Sequence, residues 1–425
     1  MCRCRFIVFL LLCVIFSIIL SGCFDAREVS EYAYVLSIGL DKGITDDLRM
    51  TIQIPNIKNG LNGGESGGSQ RQRETSTITI ECSSFYSGVN MINTFLSRQL
   101  NYMHAKFLVF SETLAKEGID KYLTAFNRGR QIRRQMNVIV TKGMASEFLE
   151  ENAVVIGSSL PKKQQGLMDE SSETGLYSEV IYGDALDDVK TTYGQSIAIL
   201  AAVNNQNNTF DREGEGNTPY KSTGDYYAGE LVRRGGSKDE LLGTAVFDGG
   251  RMVGELNGDE TRALLMIRNE YKKGFFSIQD PLKPELVISL DIKKQKDPEI
   301  KVRIEKDKPV VDIKIFLEGD LQSVQSTVDY ESKDLKLLLE NAFKSQMKNE
   351  LDKTIKKCQD LNSDVFKIGR VAAMHFLTIQ EWEKYDWLDK FKQAQVNTDV
   401  KFIIRRTGTM IKSAEIRSTD GKKGE

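Results

Sequence analysis

The chain has 425 residues, of which 40% are hydrophobic and 28% are charged, with a formal net charge of −2. This composition is typical of a folded protein with room for two or three domains, and it argues against a disordered chain. The slightly acidic balance does not favour a nucleic acid as partner.

The N-terminus has the layout of a secretory leader that ends in a lipid-attachment site. Arg3 and Arg5 precede an apolar run, Phe6 to Leu20, which is followed by Ser21-Gly22-Cys23. The run is shorter than the about 20 apolar residues that a membrane span needs, so an uncleaved transmembrane helix is the weaker interpretation. We expect cleavage after residue 22 and a lipidated Cys23, carrying diacylglyceryl and N-acyl groups, that holds a soluble body on the outer face of a membrane.

The remaining cysteines and histidines indicate neither a metal site nor a cofactor. Beyond Cys23 only Cys82 and Cys358 remain, and they form either one disulfide or, as we prefer, two buried independent thiols. His104 and His375 are the only histidines, and no cysteine pair has the spacing of a zinc site. We therefore predict no metal and no cofactor apart from the covalent lipid.

The alternation of strand and helix patterns in residues 23–203 predicts an N-terminal domain with a mixed sheet covered by helices. A polar, glycine-rich stretch, Asn62 to Ser69, interrupts it as a loop, and two or three helices lie between the strands. The predicted strands are Ala33–Leu40, Leu48–Ile54, Ser76–Cys82, Lys106–Phe110, Met136–Thr141 and Ile197–Val203.

Residues 204–224 are polar, rich in asparagine and glycine, and without periodicity, so they predict a linker or a long loop. The C-terminal part, residues 225–425, begins with a predicted hairpin, Gly243–Asp248 and Arg251–Leu256, around Gly249-Gly250. The overall fold class is then α+β and multi-domain.

Three segments in which apolar residues alternate with polar or small ones follow in the C-terminal half: Leu286–Ile292, Ile300–Ile304 and Val311–Leu317. Their connections are too short for parallel crossovers, so they predict an antiparallel meander with one apolar face. A long helix should cover that face, and Asp399–Arg405 is a last strand that can join the same sheet. The apolar residues of the helix step by about four: Leu335, Leu339, Phe343, Met347, Leu351 and Ile355.

One dense basic cluster stands out, formed by Arg128, Arg130, Arg133 and Arg134. Guanidinium groups suit bidentate contacts with phosphates and carboxylates, so the cluster is a candidate surface for a partner or an anion. The alternative is a solvated helix end.

No other group of residues indicates catalysis. Asp184, Asp187 and Asp188 lack the spacing of a calcium loop, and His104 has no nucleophile motif to serve. We therefore expect a protein that is not an enzyme.

Several segments resemble, in order, the C-subunit lipoproteins of spore germinant receptors, the Ger(x)C family. The family usually has tryptophan after the lipobox cysteine, and Phe24 keeps an aromatic residue there. The similar segments are Ser21–Asp25, Val35–Gly43, His104–Gly118, Arg128–Gly143, Gly243–Leu256 with Glu260-Thr261-Arg262, Asp364–Gly369 and Trp382–Trp387.

The resemblance implies a non-enzymatic subunit of a nutrient-sensing complex in the inner membrane of a bacterial spore. It implies A-type and B-type membrane subunits as partners, besides the lipid bilayer itself. It also implies an α+β body, and among the site residues it carries over only Cys23. The runner-up is a solute-binding lipoprotein of a transport system, which would need two similar lobes around a cleft.

Overall fold

The computed structural model describes residues 5–7, 9–10, 28–56, 74–157, 159–205 and 220–408. Cys23, most of the predicted leader, the loop from Asn62 to Ser69 and most of the linker predicted at 204–224 lie outside the described residues.

An eight-stranded mixed sheet forms the first part of the body, and its strands run in the order β10-β9-β8-β7-β6-β2-β3-β4. β2, β6, β7 and β8 are parallel, and the outer strands are antiparallel to their neighbours. The short β1 and β5 pair in parallel beside it. The strands are β1 (Tyr32–Tyr34), β2 (Ser37–Lys42), β3 (Leu48–Pro55), β4 (Thr75–Cys82), β5 (Gln99–Asn101), β6 (Phe107–Ser111), β7 (Asn137–Lys142), β8 (Ile197–Val203), β9 (Asp239–Asp248) and β10 (Arg251–Leu256).

The central parallel strands are buried along almost their whole length, as expected for a sheet covered on both faces. The helices of this part are α1 (Phe85–Asn93), α2 (Glu112–Glu117), α3 (Asp120–Phe126), α4 (Ala145–Glu151), α5 (Leu160–Thr174) and α6 (Tyr182–Lys190).

Residues of β3 show which helices cover which face. Met50 points toward α1, where a Cβ on Gly88 would meet its Cε. Gln53 has the opposite parity and donates to the carbonyl of Leu149 in α4 at 2.9 Å. Since successive side chains of a strand point to opposite faces, α1 and α4 cover opposite sides of the sheet.

Two buried features of β2 position α4 closely. The carboxylate of Asp41 accepts the N–H groups of Ala145 (2.7 Å) and Ser146 (3.0 Å), so it satisfies the free donors of the helix start. Gly39 lies under α4, and a Cβ there would lie 2.9 Å from Leu149 Cδ1. The helix therefore needs glycine at this position to approach the strand.

The hairpin predicted around Gly249-Gly250 is confirmed, and it belongs to the eight-stranded sheet. β9 pairs with β8, with Val246 opposite Ile197, so both strands of the hairpin extend the eight-stranded sheet. The sheet thus includes strands from both sides of the predicted linker. Local patterning predicts the hairpin but does not identify the strand beside it, so only the structure shows that it pairs with β8.

A four-stranded sheet forms the C-terminal part, in the order β11-β12-β13-β14. Its strands are β11 (Lys273–Gln279), β12 (Val287–Glu305), β13 (Lys308–Val324) and β14 (Gln395–Arg406), and the helices are α7 (Gly258–Ile267), α8 (Lys333–Asp360), α9 (Gly369–Ala372), α10 (Ile379–Tyr385) and α11 (Trp387–Phe391).

The antiparallel meander is present, but one of its predicted turns is not. Leu286–Ile292 and Ile300–Ile304 fall almost entirely on the single strand β12, which pairs with β13 along its length. The polar residues between the two segments remain part of β12. The pairing of β12 with β13 is irregular there, with register shifts between Lys294 and Glu299. The third antiparallel strand is β11, and β14 joins the far edge parallel to β13.

The long helix covers this sheet as predicted, with Leu339, Phe343 and Leu351 fully buried. The ring centroid of Phe343 lies 4.4 Å from that of Phe402 on β14 and 5.7 Å from that of Phe276 on β11. The helix therefore crosses the sheet from one edge strand to the other. Burial of such a stripe is the main stabilising term for this half.

The turn between β13 and α8 is held by Asp280, which is 1% exposed. Its carboxylate accepts the hydroxyls of Ser326 and Tyr330 and the N–H groups of Leu282 and Lys283. Burial raises the pKa of Asp280, but these hydrogen bonds outweigh it and hold the pKa below its ordinary value.

Replacing Asp280 with asparagine should lower the free energy of unfolding by about 1–3 kcal/mol at neutral pH, because an amide cannot accept all four hydrogen bonds. The folded-state pKa lies below the ordinary 3.8, so the ionised group stabilises the fold above that value and the contribution is lost as pH falls through the folded-state pKa. Urea unfolding of both proteins at about pH 7 and about pH 3 should show the difference shrinking in acid. An equal difference at both values would contradict this role for the charge.

Candidate functional site

The four arginines singled out in the sequence lie in the loop between α3 and β7, residues 127–136, which we call the arginine loop. Arg128, Arg130, Arg133 and Arg134 are all exposed. No acidic residue lies within the loop. It therefore presents a concentrated positive charge to solvent.

Only Arg134 has an ion-pair partner among the described residues of this loop. Its guanidinium lies 2.6 Å from Asp187 and donates to the carbonyl of Gly183 at 3.0 Å, both on α6. The two side chains are 51% and 68% exposed, so the pair contributes at most about 1 kcal/mol. Arg134 thus orients the loop, and the guanidinium groups of Arg128, Arg130 and Arg133 face solvent.

Backbone and buried contacts fix the end of the loop that leads into β7. The N–H of Tyr182 donates to the carbonyl of Met136 at 2.6 Å, and that of Gly183 donates to Arg134 at 2.8 Å. The Tyr182 hydroxyl donates to the carbonyl of Leu123 at 2.7 Å. These hydrogen bonds therefore hold the backbone of the arginine loop in place next to β7.

α6 also connects the arginine loop to the C-terminal half. The carboxylate of Asp188, next to Asp187, lies 2.7 Å from Lys367 and 3.8 Å from Arg370. Asp187 and Asp188 are therefore committed to ion pairs, and Asp184 is exposed. Among the described residues, no acidic, histidine and cysteine groups cluster so as to hold a metal ion.

The segment that receives these ion pairs is built around Asp364. Its carboxylate accepts the N–H groups of Ile368 (3.2 Å) and Gly369 (2.9 Å) and the indole N–H of Trp387 (2.8 Å). Its backbone carbonyl accepts the N–H of Gln195, just before β8, at 2.9 Å. Burial raises the pKa of Asp364, and the N–H donors act in the opposite direction. This network links the segment just before β8 to α9 and α11 of the C-terminal half.

An aromatic cluster completes the junction. The ring of Trp382 stacks on Tyr193 at 5.5 Å and on Trp387 at 6.1 Å, and its indole N–H donates to the Thr192 hydroxyl at 2.8 Å. Next to it Leu377 is 95% exposed. Sequence reasoning missed this junction, since aromatic residues so far apart in the chain give no periodic signal.

The other candidate residues have structural surroundings. Cys82 and Cys358 are free and buried, and burial raises the pKa of both thiols, which disfavours the reactive thiolate. His104 packs edge-on against Tyr34 at 5.2 Å.

The lipidation site remains a prediction, because Cys23 lies outside the described residues. Within the part of the chain that the structure describes, no helix is both long and apolar enough to cross a membrane.

Helix α1, which precedes α2 and α3 in the chain, has an unusual outer face. No charged residue lies between Glu81 and Arg98. Tyr86 (48%), Met91 (47%) and Phe95 (62%) are exposed along α1 and the turn that follows it. The Tyr86 hydroxyl reaches the arginine loop, where a Cβ on Gly129 would collide with it.

Two family models match the chain, one after the other. The model described as spore germination protein N-terminal domain matches residues 25–204. The model described as spore germination B3/GerAC like, C-terminal, matches residues 242–408.

Relatives match the chain over nearly its whole length. Spore germination protein KC of Bacillus subtilis (strain 168) is 26% identical over 416 residues, which cover 96% of each chain. Spore germination protein YndF of the same organism is 24% identical, with 92% of this chain and 95% of the relative covered.

The crystal structure of the GerBC protein has a similar fold, with a TM-score of 0.50 and 18% identity, covering 87% of this chain and 96% of that one. The multi-domain α+β class is confirmed by this likeness. Because the two family models together span both sheets, in the order the resemblance predicts, the chain belongs to the Ger(x)C family of spore germination proteins.

Proposed function

We propose that this protein is the C-type subunit of a spore germinant receptor. Lipid on Cys23 holds it on the outer face of the inner spore membrane, and it is needed for nutrient-triggered germination. It performs no chemistry itself and acts through contacts with A-type and B-type membrane subunits. The observation that carries the proposal is the ordered match of both spore-germination family models, beginning at residue 25, directly after the predicted lipid site.

The layout of the N-terminus supports the anchor. Leu20-Ser21-Gly22-Cys23 ends the apolar run, and the first described residue of the body, Glu28, follows Cys23 by only five positions. Each buried acyl methylene contributes about 0.8 kcal/mol, so two or more chains hold a protein firmly on a bilayer.

The surroundings of the reactive side chains support a role without catalysis. Both described thiols are buried with raised pKa values, and Asp188 is paired with Lys367 and Arg370. The two sheets differ in size and topology, which does not favour the paired lobes of a solute-binding lipoprotein.

The test is to identify what co-purifies with the protein. We would solubilise membranes of spores that carry a tagged copy, isolate the protein in mild detergent and identify its companions by mass spectrometry, with untagged spores as control. We expect two membrane proteins of the A and B germinant-receptor types. A permease with an ATPase would instead make the protein a transport lipoprotein and overturn the proposal.

A further inference from the structure

We propose that the outer face of α1 and of the turn after it lies on the bilayer, and that the arginine loop beside it binds lipid phosphates. This inference rests on the lipid anchor of the proposed function. We call this surface, Tyr86, Met91, Phe95, Arg98 and the arginine loop, the membrane face. Its occupant is a bilayer that contains anionic lipid.

The short tether determines which part of the body lies close to the membrane. Glu28 follows Cys23 by five positions, and a fully extended chain of that length spans at most about 18 Å. The entry point of the chain into the body must therefore stay near the headgroups of the lipid that carries it. Any surface around this entry point is in reach of the bilayer without movement of the domain.

The entry point lies against the end of α1. β1 pairs with β5, with Tyr32 opposite Gln99, and this pairing sets the first residues of the body beside the turn after α1. Ser30 and Glu31 line one open hollow of about 820 Å³ together with Leu96 and Arg98. Val29, directly before them, is 73% exposed.

Contacts continue from there to the arginine loop. Phe85, at the start of α1, packs on Tyr102 just after β5 (5.3 Å between ring centroids) and on Phe126 just before the loop (4.6 Å). Tyr86 then touches the loop at Gly129. The tether entry, α1 and the arginine loop are thus neighbours in the fold.

The chemistry of this surface fits the interfacial region of a bilayer. Tyr86, Met91 and Phe95 are exposed on α1 and the turn after it, a stretch without charged residues, and arginines lie beside it. Aromatic residues favour the headgroup level, and basic clusters next to a membrane are attracted to anionic lipid. An acidic protein surface would also attract the arginines, but it would have to occupy the narrow space that the tether leaves beside the bilayer.

The opposite side of the sheet offers a matched control. Ile156 follows α4, which covers the other face of the sheet from α1, and its side chain is 91% exposed. Since Cys82 and Cys358 are buried and Cys23 carries lipid, a single introduced cysteine at either place can be labelled selectively.

The experiment uses the full lipidated protein with Phe95→Cys or Ile156→Cys, each carrying an environment-sensitive fluorophore. The proteins are reconstituted into vesicles of phosphatidylcholine with or without phosphatidylglycerol. In the anionic vesicles we expect the label at position 95 to shift to the blue and to resist an aqueous quencher, and the label at 156 to do neither. Equal quenching at both positions would overturn the inference.

Removing the charges tests the arginines separately. In the triple variant Arg128→Gln/Arg130→Gln/Arg133→Gln, the ratio of protected to exposed label at position 95 should fall by roughly fivefold for each arginine removed. High salt should have a similar effect, because it screens charges beyond about 10 Å at 0.1 M. No change in the triple variant would refute the phosphate contacts.

Two outcomes separate this inference from the proposed function. Co-flotation of the protein with the vesicles reports the lipid anchor alone, so loss of flotation would count against the anchor. Flotation with an unprotected label at position 95 would overturn the membrane face and leave the anchor intact. Protection that appears only when A-type and B-type subunits are present would show that the surface binds protein instead of lipid.

Discussion

Replacing Cys23 with alanine is expected to move the protein out of the spore membrane fraction and to abolish its part in nutrient germination. Without the thiol no diacylglyceryl group can be attached, and the apolar run Phe6 to Leu20 is too short to span the bilayer by itself, since a span needs about 20 residues. The tether would then no longer confine the protein near its partners, and the gain in effective concentration would be lost. Immunoblots of spore fractions, together with the loss of optical density in nutrient, measure both effects.

Cys13→Ala is the matched control, because Cys13 lies inside the leader that is removed with cleavage. This variant should be lipidated, retained and active. If the Cys23→Ala protein stayed in the membrane and supported normal germination, the anchor role of Cys23 would have to be abandoned.

Replacing Asp364 with alanine should strongly destabilise the junction. The change leaves three buried donors, the N–H groups of Ile368 and Gly369 and the indole of Trp387, without an acceptor. At about 1–3 kcal/mol for each unsatisfied donor, a total of roughly 3–5 kcal/mol is expected after partial relaxation. Thermal and urea unfolding of the detergent-solubilised protein would measure it.

Asp389→Ala serves as the control for Asp364, because Asp389 is an exposed carboxylate on the neighbouring α11. Its effect should stay within about 0.5 kcal/mol. The Asp364→Asn variant should fall between the two, since one amide oxygen can still accept hydrogen bonds. A loss at Asp364 no larger than that at Asp389 would show that the network contributes little to the junction.

Within each element, most of the fold was predictable from local pattern. The alternation in Val311–Leu317 and the four-residue steps from Leu339 to Ile355 identify a strand and a helix, because both periodicities belong to the backbone itself. The hairpin around Gly249-Gly250 was equally local. The exposed position of the arginine cluster also agreed with its charge.

Other features were not local, and one prediction about them was wrong. The polar residues Gln295–Pro298 were predicted to form a turn between two strands. In the structure β12 continues through them, because β13 pairs with β12 on both sides of this stretch. The β9–β10 hairpin extends the first sheet because β9 pairs with β8. A local sequence pattern identifies a strand, but it does not identify which other strand pairs with it.

The sequence by itself determined the family, the predicted lipid site at Cys23 and the type of most elements, because each depends on residues close together in the chain. Only the tertiary structure decided that Asp364 links the segment before β8 to α9 and α11, and that α1 lies between the chain entry and the arginine loop. These contacts bring together residues separated by many positions, and they follow from strand pairing and burial rather than from spacing. For the same reason, the surface we assign to the membrane became visible only after folding.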